Sequence, residues 1–258
     1  MQNKTFSTLF IAQNLIQLSA VDSTNNYLKL MLSKSEPLAE GTVILADDQF
    51  AGRGQQGNTW ISQAGLNLTF SIYLRPSFLS IVHQFQLNTA VSIGIVNALK
   101  RYVSEGIRIK WPNDIYFHNH KIGGVLIENT ISSGNLRSSI IGIGVNVNQR
   151  EFSSSLLEKA SSLGRILHAD VDLSELLDRI CHSIEGQYLR LKAGKSKDQL
   201  KEYLENLYQF GKACNYKSDN MIFEGYIAGV SEEGKLLVDH GGQQRSYGFK
   251  EIEFLDNN

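Results

Sequence analysis

The sequence predicts an α+β protein, built as a mixed or antiparallel sheet with packed helices and followed by a small C-terminal β-barrel. Three observations lead there. Of the 258 residues, 42% are hydrophobic and 20% charged, which suits a packed globular core. Strand-like and helix-like stretches alternate too irregularly for a doubly wound parallel sheet. From Gly211 the chain becomes short strands split by the turns Ser231-Glu232-Glu233-Gly234 and Asp239-His240-Gly241-Gly242, and closing such strands into a barrel removes their exposed edges. The expected division is 1–210 for the larger domain and 211–258 for the smaller.

Each element has its own signal. Asp22-Ser23-Thr24-Asn25 offers Asp22 or Ser23 as the cap of a helix over roughly 24–34, with Pro37 after it. Residues 42–46 form an apolar, β-branched strand that delivers the chain into a glycine-rich segment. Residues 66–74 alternate at period two, as a strand with one polar face. Over 82–103, Phe85, Ala90, Val91, Ile95, Val96, Leu99 and Val103 fall near helical spacing. Ile107, Ile109 and Trp111 alternate in a strand. Strands at 115–117 and 122–127 flank the turn His118-Asn119-His120 as a hairpin, and 140–147 is a further strand. Helices are expected at 153–163, 172–191 and 198–208, with Asp172 and Ser174 near one start and Gly194 past its end. The C-terminal strands are 221–230, 235–238, 244–249 and 252–254.

The formal net charge of -1 gives no electrostatic footprint for general nucleic-acid binding. Two cysteines, Cys181 and Cys214, read as buried thiols of a reducing compartment rather than a bridge or a metal quartet. Residues 1–21 lack the pattern of a signal peptide, and no apolar run is long enough to span a bilayer. A cytoplasmic protein without a membrane segment is expected.

The chemistry concentrates in Gly52-Arg53-Gly54-Gln55-Gln56-Gly57-Asn58-Thr59-Trp60. Backbone N–H groups of such a loop can converge on an anion, Arg53 can add a bidentate contact, and Trp60 can stack on a planar base. A tight surface turn anchored by its tryptophan is the plainer alternative. The segment is not a P-loop, because it lacks the Gly-Lys-Ser/Thr ending. Nor is it a dinucleotide fingerprint, because a strand follows where a helix is required.

Lys110-Trp111-Pro112-Asn113-Asp114 reads either as a turn between strands or as the carrier of an acid, Asp114, suited to Mg2+. Lys121 precedes Gly123-Gly124 and can steady charge on a transferred phosphoryl or carboxyl oxygen, or be a solvated surface charge. No activated serine or cysteine nucleophile is recognisable. His118 and His120 lack further metal-spaced ligands, so no zinc is expected.

Asp22-Ser23-Thr24-Asn25, Gln49 with the 52–60 segment, Lys110 to Asp114, Lys121 to Gly124, and Gly142-Ile143-Gly144-Val145-Asn146 occur in that order. In this the sequence resembles the catalytic core and C-terminal domain of the biotin–protein ligase family. The resemblance covers roughly 15–150, and the small barrel from about 212 extends it to most of the chain. It implies a class II synthetase-like ligase core with an SH3-like barrel. It also implies the reaction: biotin is activated with ATP and Mg2+ to biotinyl-5'-AMP, then passed to one lysine of a biotin carboxyl carrier domain of acetyl-CoA carboxylase or a related carboxylase.

The resemblance assigns residues as well. It places Ser23, Thr24 and Gln49 around the biotin ureido head, with Asn25, Gly52, Arg53, Lys121 and Gly124 completing the biotin site. It gives the nucleotide Arg53, Gly54, Gln55, Trp60, Lys121 and Asn146. Lys121, Arg53 and Asp114 are the catalytic set, with Asp114 facing the metal or the carrier lysine.

Two departures stand out. Gln55, Gln56 and Asn58 occupy positions where some members carry arginines, which weakens electrostatic retention of the adenylate. Only about 20 residues precede Asp22, so the DNA-binding domain of bifunctional members is not expected, nor is sequence-specific repression. The resemblance allows a monomer or a homodimer. A lipoate or octanoate ligase, or a non-catalytic carrier-binding protein, remains as an alternative.

Overall fold

The computed structural model describes residues 6–34, 37–154 and 156–255, with the side chain of Gln56 left out. Ser155, inside the expected 153–163 helix, and residues 1–5 therefore lie outside the described residues. In chain order the elements begin with β1 (Leu15–Val21), α1 (Thr24–Ser33), β2 (Val43–Gln49), β3 (Leu68–Leu74) and α2 (Gln84–Leu99). The hairpin region follows as β4 (Ile107–Lys110), β5 (Asp114–Phe117), β6 (His120–Ser132) and β7 (Asn135–Val145). Next come α3 (Leu163–Leu167), α4 (Leu173–Lys192) and α5 (Ser196–Glu205). The chain closes with β8 (Ala213–Ser218), β9 (Met221–Val230), β10 (Leu236–His240), β11 (Gln243–Tyr247) and β12 (Glu253–Phe254).

The larger sheet runs β1-β2-β3-β7-β6-β5-β4. Only β1 and β2 pair in parallel, so the sheet is mixed, as expected. On one face α2 and α4 pack together over a core that includes Phe70, Ile72, Leu74, Ile93 and Ile184, all fully buried. Each such side chain contributes roughly 1.5–3 kcal/mol on burial. α2 is buried around most of its circumference, Ser92 and Thr89 included, and so belongs to the middle of the molecule rather than to an amphipathic surface. On the opposite face α1 covers β2, β3 and β7 through Leu28, Ile44, Tyr73 and Ile140. That face beyond α1 is left open, and the functional cleft lies there.

The polar face expected of residues 66–74 is not exposed. Asn67, Thr69 and Ser71 are all buried, Ser71 against Thr24 and Asn25 of α1 and Asn67 against Gln149, and their polar atoms are hydrogen bonded within the protein. The helix expected at 153–163 is also overturned. Leu157 is exposed there, and the backbone pairs with the strand carrying Lys121 instead: Lys121 N–H donates to Lys159 O (2.8 Å) and Ser161 N–H to Lys121 O (2.9 Å). Helical structure begins only at α3. Edge strand β1 and strand β8 were not anticipated. Asp172 caps α4 as expected, accepting from the N–H groups of Ser174 (2.8 Å) and Glu175 (2.9 Å).

The C-terminal strands form a five-stranded antiparallel sheet in the order β11-β10-β9-β8-β12. It shares the apolar core of the larger sheet through Tyr216, Ile227, Leu236 and Val238. Trp111 fastens the two, donating Nε1–H to Gly234 O at 2.9 Å while its ring packs 6.2 Å from that of Phe249. Lys110 points into the same junction, with Nζ 4.9 Å from the Tyr116 ring centroid and 5.2 Å from that of Phe254.

Candidate active site

The N-terminus of α1, the loop after β2, the β5–β6 hairpin and the middle of β7 converge on one cleft of about 720 Å3, counting its open mouth. Ser23, Thr24, Asn25, Gln49, Arg53, Gly54, Gln55, Trp60, Asp114, Lys121 and Gly124 all line it. Asn58, Thr59, Asn113, Val125, Leu126, Gly142, Ile143, Gly144 and Phe249 line it too.

One end of the cleft is polar and neutral. Ser23 occupies the N-cap position of α1, yet its side chain makes no capping hydrogen bond, and the residue lines the cleft at 2% exposure. Gln49 supplies the helix terminus instead: its Oε1 accepts from Thr24 N–H at 2.9 Å and lies 3.2 Å from Thr24 Oγ1. Beneath them the Ser71 hydroxyl lies 2.6 Å from both Thr24 Oγ1 and Asn25 Oδ1. Gly142 makes room for this arrangement, because a Cβ there would sit 2.5 Å from Asn25 Oδ1.

The glycine-rich segment folds back on itself. Gly54 N–H donates to Asn58 O (2.7 Å) and Trp60 N–H to Gly52 O (3.0 Å), around a 3-10 turn at Gln55–Gly57. The Trp60 ring then lies flat over Gly144, in space that any side chain at 144 would fill. Its indole N–H is buried and has no hydrogen-bond partner among the described residues. Gly52 does not line the cleft; its missing side chain leaves space for the Trp60 carbonyl that closes the loop.

Both cations of the cleft are paired with carboxylates. Lys121 Nζ lies 2.6 Å from Asp114 Oδ1, each side chain about one-third exposed, and Gly124 lies beside both. Arg53 Nη2 lies 3.0 Å from Glu128 Oε1, and Nη1–H donates to Asn26 Oδ1 at 2.9 Å. Glu128 also binds Lys29 at 2.6 Å. Burial pushes the Glu128 carboxyl upward, but hydrogen bonds from Lys29 and Asn25 and the charges of Lys29 and Arg53 outweigh it. The carboxyl therefore sits below its ordinary range. The hydrogen bond from Asn26 likewise holds Asp22 low.

Besides Gly52, Lys110 and Asn146 of the motifs fall outside the cleft. Lys110 is turned into the aromatic junction. Asn146 is buried, its Nδ2–H donating to Ser161 O at 3.0 Å, and so fixes the segment that pairs with Lys121. Conversely, Ser71, Asn26, Lys29 and Glu128 were not singled out from sequence. Glu128 sits in a run of alternating strand residues, where a carboxylate reads as a solvated face. Phe249 reaches the cleft from the far end of the chain, which no local pattern announces.

Asp114 is the only carboxylate among the described lining residues, and those residues hold no group of three or more His, Cys, Asp or Glu side chains able to hold a metal. A magnesium ion carried by substrate phosphates needs only one or two protein carboxylates, a requirement Asp114 fits.

A family model described as the Biotin/lipoate A/B protein ligase family matches residues 18–146. The chain is 31% identical over 237 residues to the bifunctional ligase/repressor BirA of Bacillus subtilis (strain 168), covering 90% of this chain and 71% of that protein. It is 28% identical over 228 residues to the biotin acetyl-CoA-carboxylase ligase of Paracoccus denitrificans, covering 86% and 92%. Among solved structures it is similar to the biotin protein ligase of Aquifex aeolicus in complex with biotin and ATP, with a TM-score of 0.79 and 30% identity over 95% of this chain and all of that one.

Proposed function

The chain belongs to the biotin/lipoate A/B protein ligase family, and we propose that within it the protein is a biotin–protein ligase. It activates biotin with ATP and transfers it to a lysine of a biotin carboxyl carrier domain. The observation that carries this reading is the single cleft in which a neutral polar end, a stacking indole and two cations meet.

The ureido ring of biotin is polar and uncharged. It suits Ser23, Thr24, Asn25 and Gln49, which offer hydroxyls and amides without charge. Its carboxylate then lies toward Arg53 and Lys121, with Gly124 leaving room. Trp60, Gly54 and Gln55 face the adenine and phosphates. Asn146 acts on the nucleotide through the segment it holds beside Lys121.

In the first step a biotin carboxylate oxygen attacks the α-phosphorus of ATP, forming a C–O–P anhydride as pyrophosphate leaves. Two anions must approach each other, and Arg53 and Lys121 offset that repulsion and the charge that builds on the phosphoryl oxygens. Mg2+ carried with the phosphates would supply further positive charge, and Asp114 is the carboxylate that would hold it. In the second step the neutral carrier lysine attacks the biotinyl carbonyl, an amide forms and AMP leaves. Once Lys121 turns to the phosphoryl oxygens, Asp114 is released to accept or orient the amine proton. The loop 52–60 keeps water from the anhydride.

We further assign 1–210 to the ligase domain and 211–258 to the smaller one, which contributes Phe249 to the cleft. The carrier domain belongs to acetyl-CoA carboxylase or a related carboxylase, and the reaction takes place in the cytoplasm. No helix among the described residues is long and apolar enough to cross a membrane. Incubating the protein with ATP, Mg2+, biotin and a carboxylase carrier domain tests the reading. The carrier is expected to gain one biotinyl group by intact mass. A gain with lipoate and none with biotin overturns it.

A further inference from the structure

We propose that Glu128 is the positioning residue of Arg53: it holds the loop arginine over the cleft before any ligand arrives and links it to the polar end of the site. Glu128 is not itself in the cleft, so it acts through its neighbours.

The guanidinium has five N–H donors. Nη1 donates to Glu128 Oε2 at 3.3 Å and to Asn26 Oδ1 at 2.9 Å, and Nη2 pairs with Glu128 Oε1 at 3.0 Å. The remaining donors are left for an anion in the cleft. A fork anchored along one edge presents its other edge in a fixed direction, whereas an arginine on a glycine-rich loop would otherwise sample many rotamers.

The anchor is itself held from two further directions. Glu128 Oε1 binds Lys29 Nζ at 2.6 Å, and Oε2 accepts from Asn25 Nδ2 at 2.8 Å. Asn25 is 3% exposed and lies 2.6 Å from Ser71 Oγ, which in turn reaches Thr24 and, through it, Gln49. A continuous polar chain therefore runs Gln49–Thr24–Ser71–Asn25–Glu128–Arg53 along the cleft wall. One carboxylate fixes α1, β6 and the loop relative to each other. Replacing it by an amide leaves Lys29 and Arg53 as two unbalanced cations, which repel.

The proposal rests on the biotin-activation reading for its kinetic consequences, but its first test does not. In ligand-free protein, limited trypsin digestion resolved by mass spectrometry gives the ratio of cutting after Arg53 to cutting after the exposed Arg150. Glu128→Gln is expected to raise that ratio about 1.5- to fivefold, the range of a partly exposed charge pair. An unchanged ratio, or a rise at every site alike, overturns the proposal. The second test is a double-mutant cycle on biotin adenylation. Glu128→Gln should lower kcat/KM for biotin about three- to tenfold, and should have no further effect in Arg53→Ala. An equal loss in both backgrounds assigns Glu128 to the general fold and overturns the positioning role. A parent protein that makes no adenylate would refute the biotin reading, while the trypsin ratio still decides where Arg53 is held.

Discussion

Replacing Gly142 by alanine strikes the polar wall of the cleft without touching a charged residue. The new methyl would lie 2.5 Å from Asn25 Oδ1, 3.0 Å from its Cγ and 3.1 Å from its Nδ2, where ordinary contact begins at 3.4 Å. Asn25 cannot swing aside freely. It is 3% exposed, and its amide bonds Ser71 at 2.6 Å and Glu128 at 2.8 Å. A displacement of nearly 1 Å takes both bonds beyond useful length. Overpacking of this kind costs about 1–3 kcal/mol, and each lost buried hydrogen bond about 1 kcal/mol. A Tm fall on the order of 6–20 °C follows for a chain of this size. Because the displaced amide forms part of the proposed ureido contact, the KM for biotin should rise at least about tenfold, the equivalent of 1.4 kcal/mol. The KM for ATP should move far less. Differential scanning calorimetry and pyrophosphate release at varied biotin measure both effects. A Tm within about 1 °C of the parent together with an unchanged biotin KM would refute the reasoning.

Other substitutions separate stability from chemistry. Lys121→Ala should slow adenylate formation about 100- to 1,000-fold in single-turnover assays. Its Tm should shift by no more than about 2 °C, because the ion pair it breaks is one-third exposed; a comparable rate in mutant and parent would remove Lys121 from the reaction. Gly186→Ala should act in the opposite sense. Gly186 is interior to α4 with nothing within 4 Å of an added Cβ, so alanine should stabilise by about 0.5–1 kcal/mol with activity unchanged. Glu128 gives a pH dependence of fixed sign. A carboxyl held below its ordinary range contributes stability above the unfolded value near 4.3, and that contribution is lost as the pH falls through the folded value. The Tm advantage of the parent over Glu128→Gln should therefore be full at neutral pH and vanish in that acid window; an advantage unchanged at pH 3 would contradict it.

The sequence carried the motifs of the cleft further than it carried the contacts behind them. Arg53, Lys121, Gln49 and Ser23 were legible because their residue types, glycine neighbours and order are local. The capping hydroxyl of Ser23 was read as structural or functional, and its missing cap bond favours the second role. Tertiary contacts overrode local pattern elsewhere. Residues 153–163 look helical, yet Lys159 O and Ser161 N–H pair with Lys121 on β6. β1 lacks clear alternation because it is an edge strand, largely exposed or half-buried, and pairs only with β2. Asn146 sits in a glycine-containing motif that the family resemblance gave to the nucleotide, but its amide is spent on Ser161. Glu128 was invisible for the same reason: its partners lie about 75 to 103 residues away, on other elements.

The central claim is that this cleft activates biotin on ATP before any carrier protein is present. Biotin-dependent exchange of labelled pyrophosphate into ATP, measured without a carrier domain, tests that step alone. Exchange that requires biotin, is not supported by lipoate and collapses in Lys121→Ala is the predicted result. No exchange with biotin, or exchange indifferent to Lys121, would contradict it.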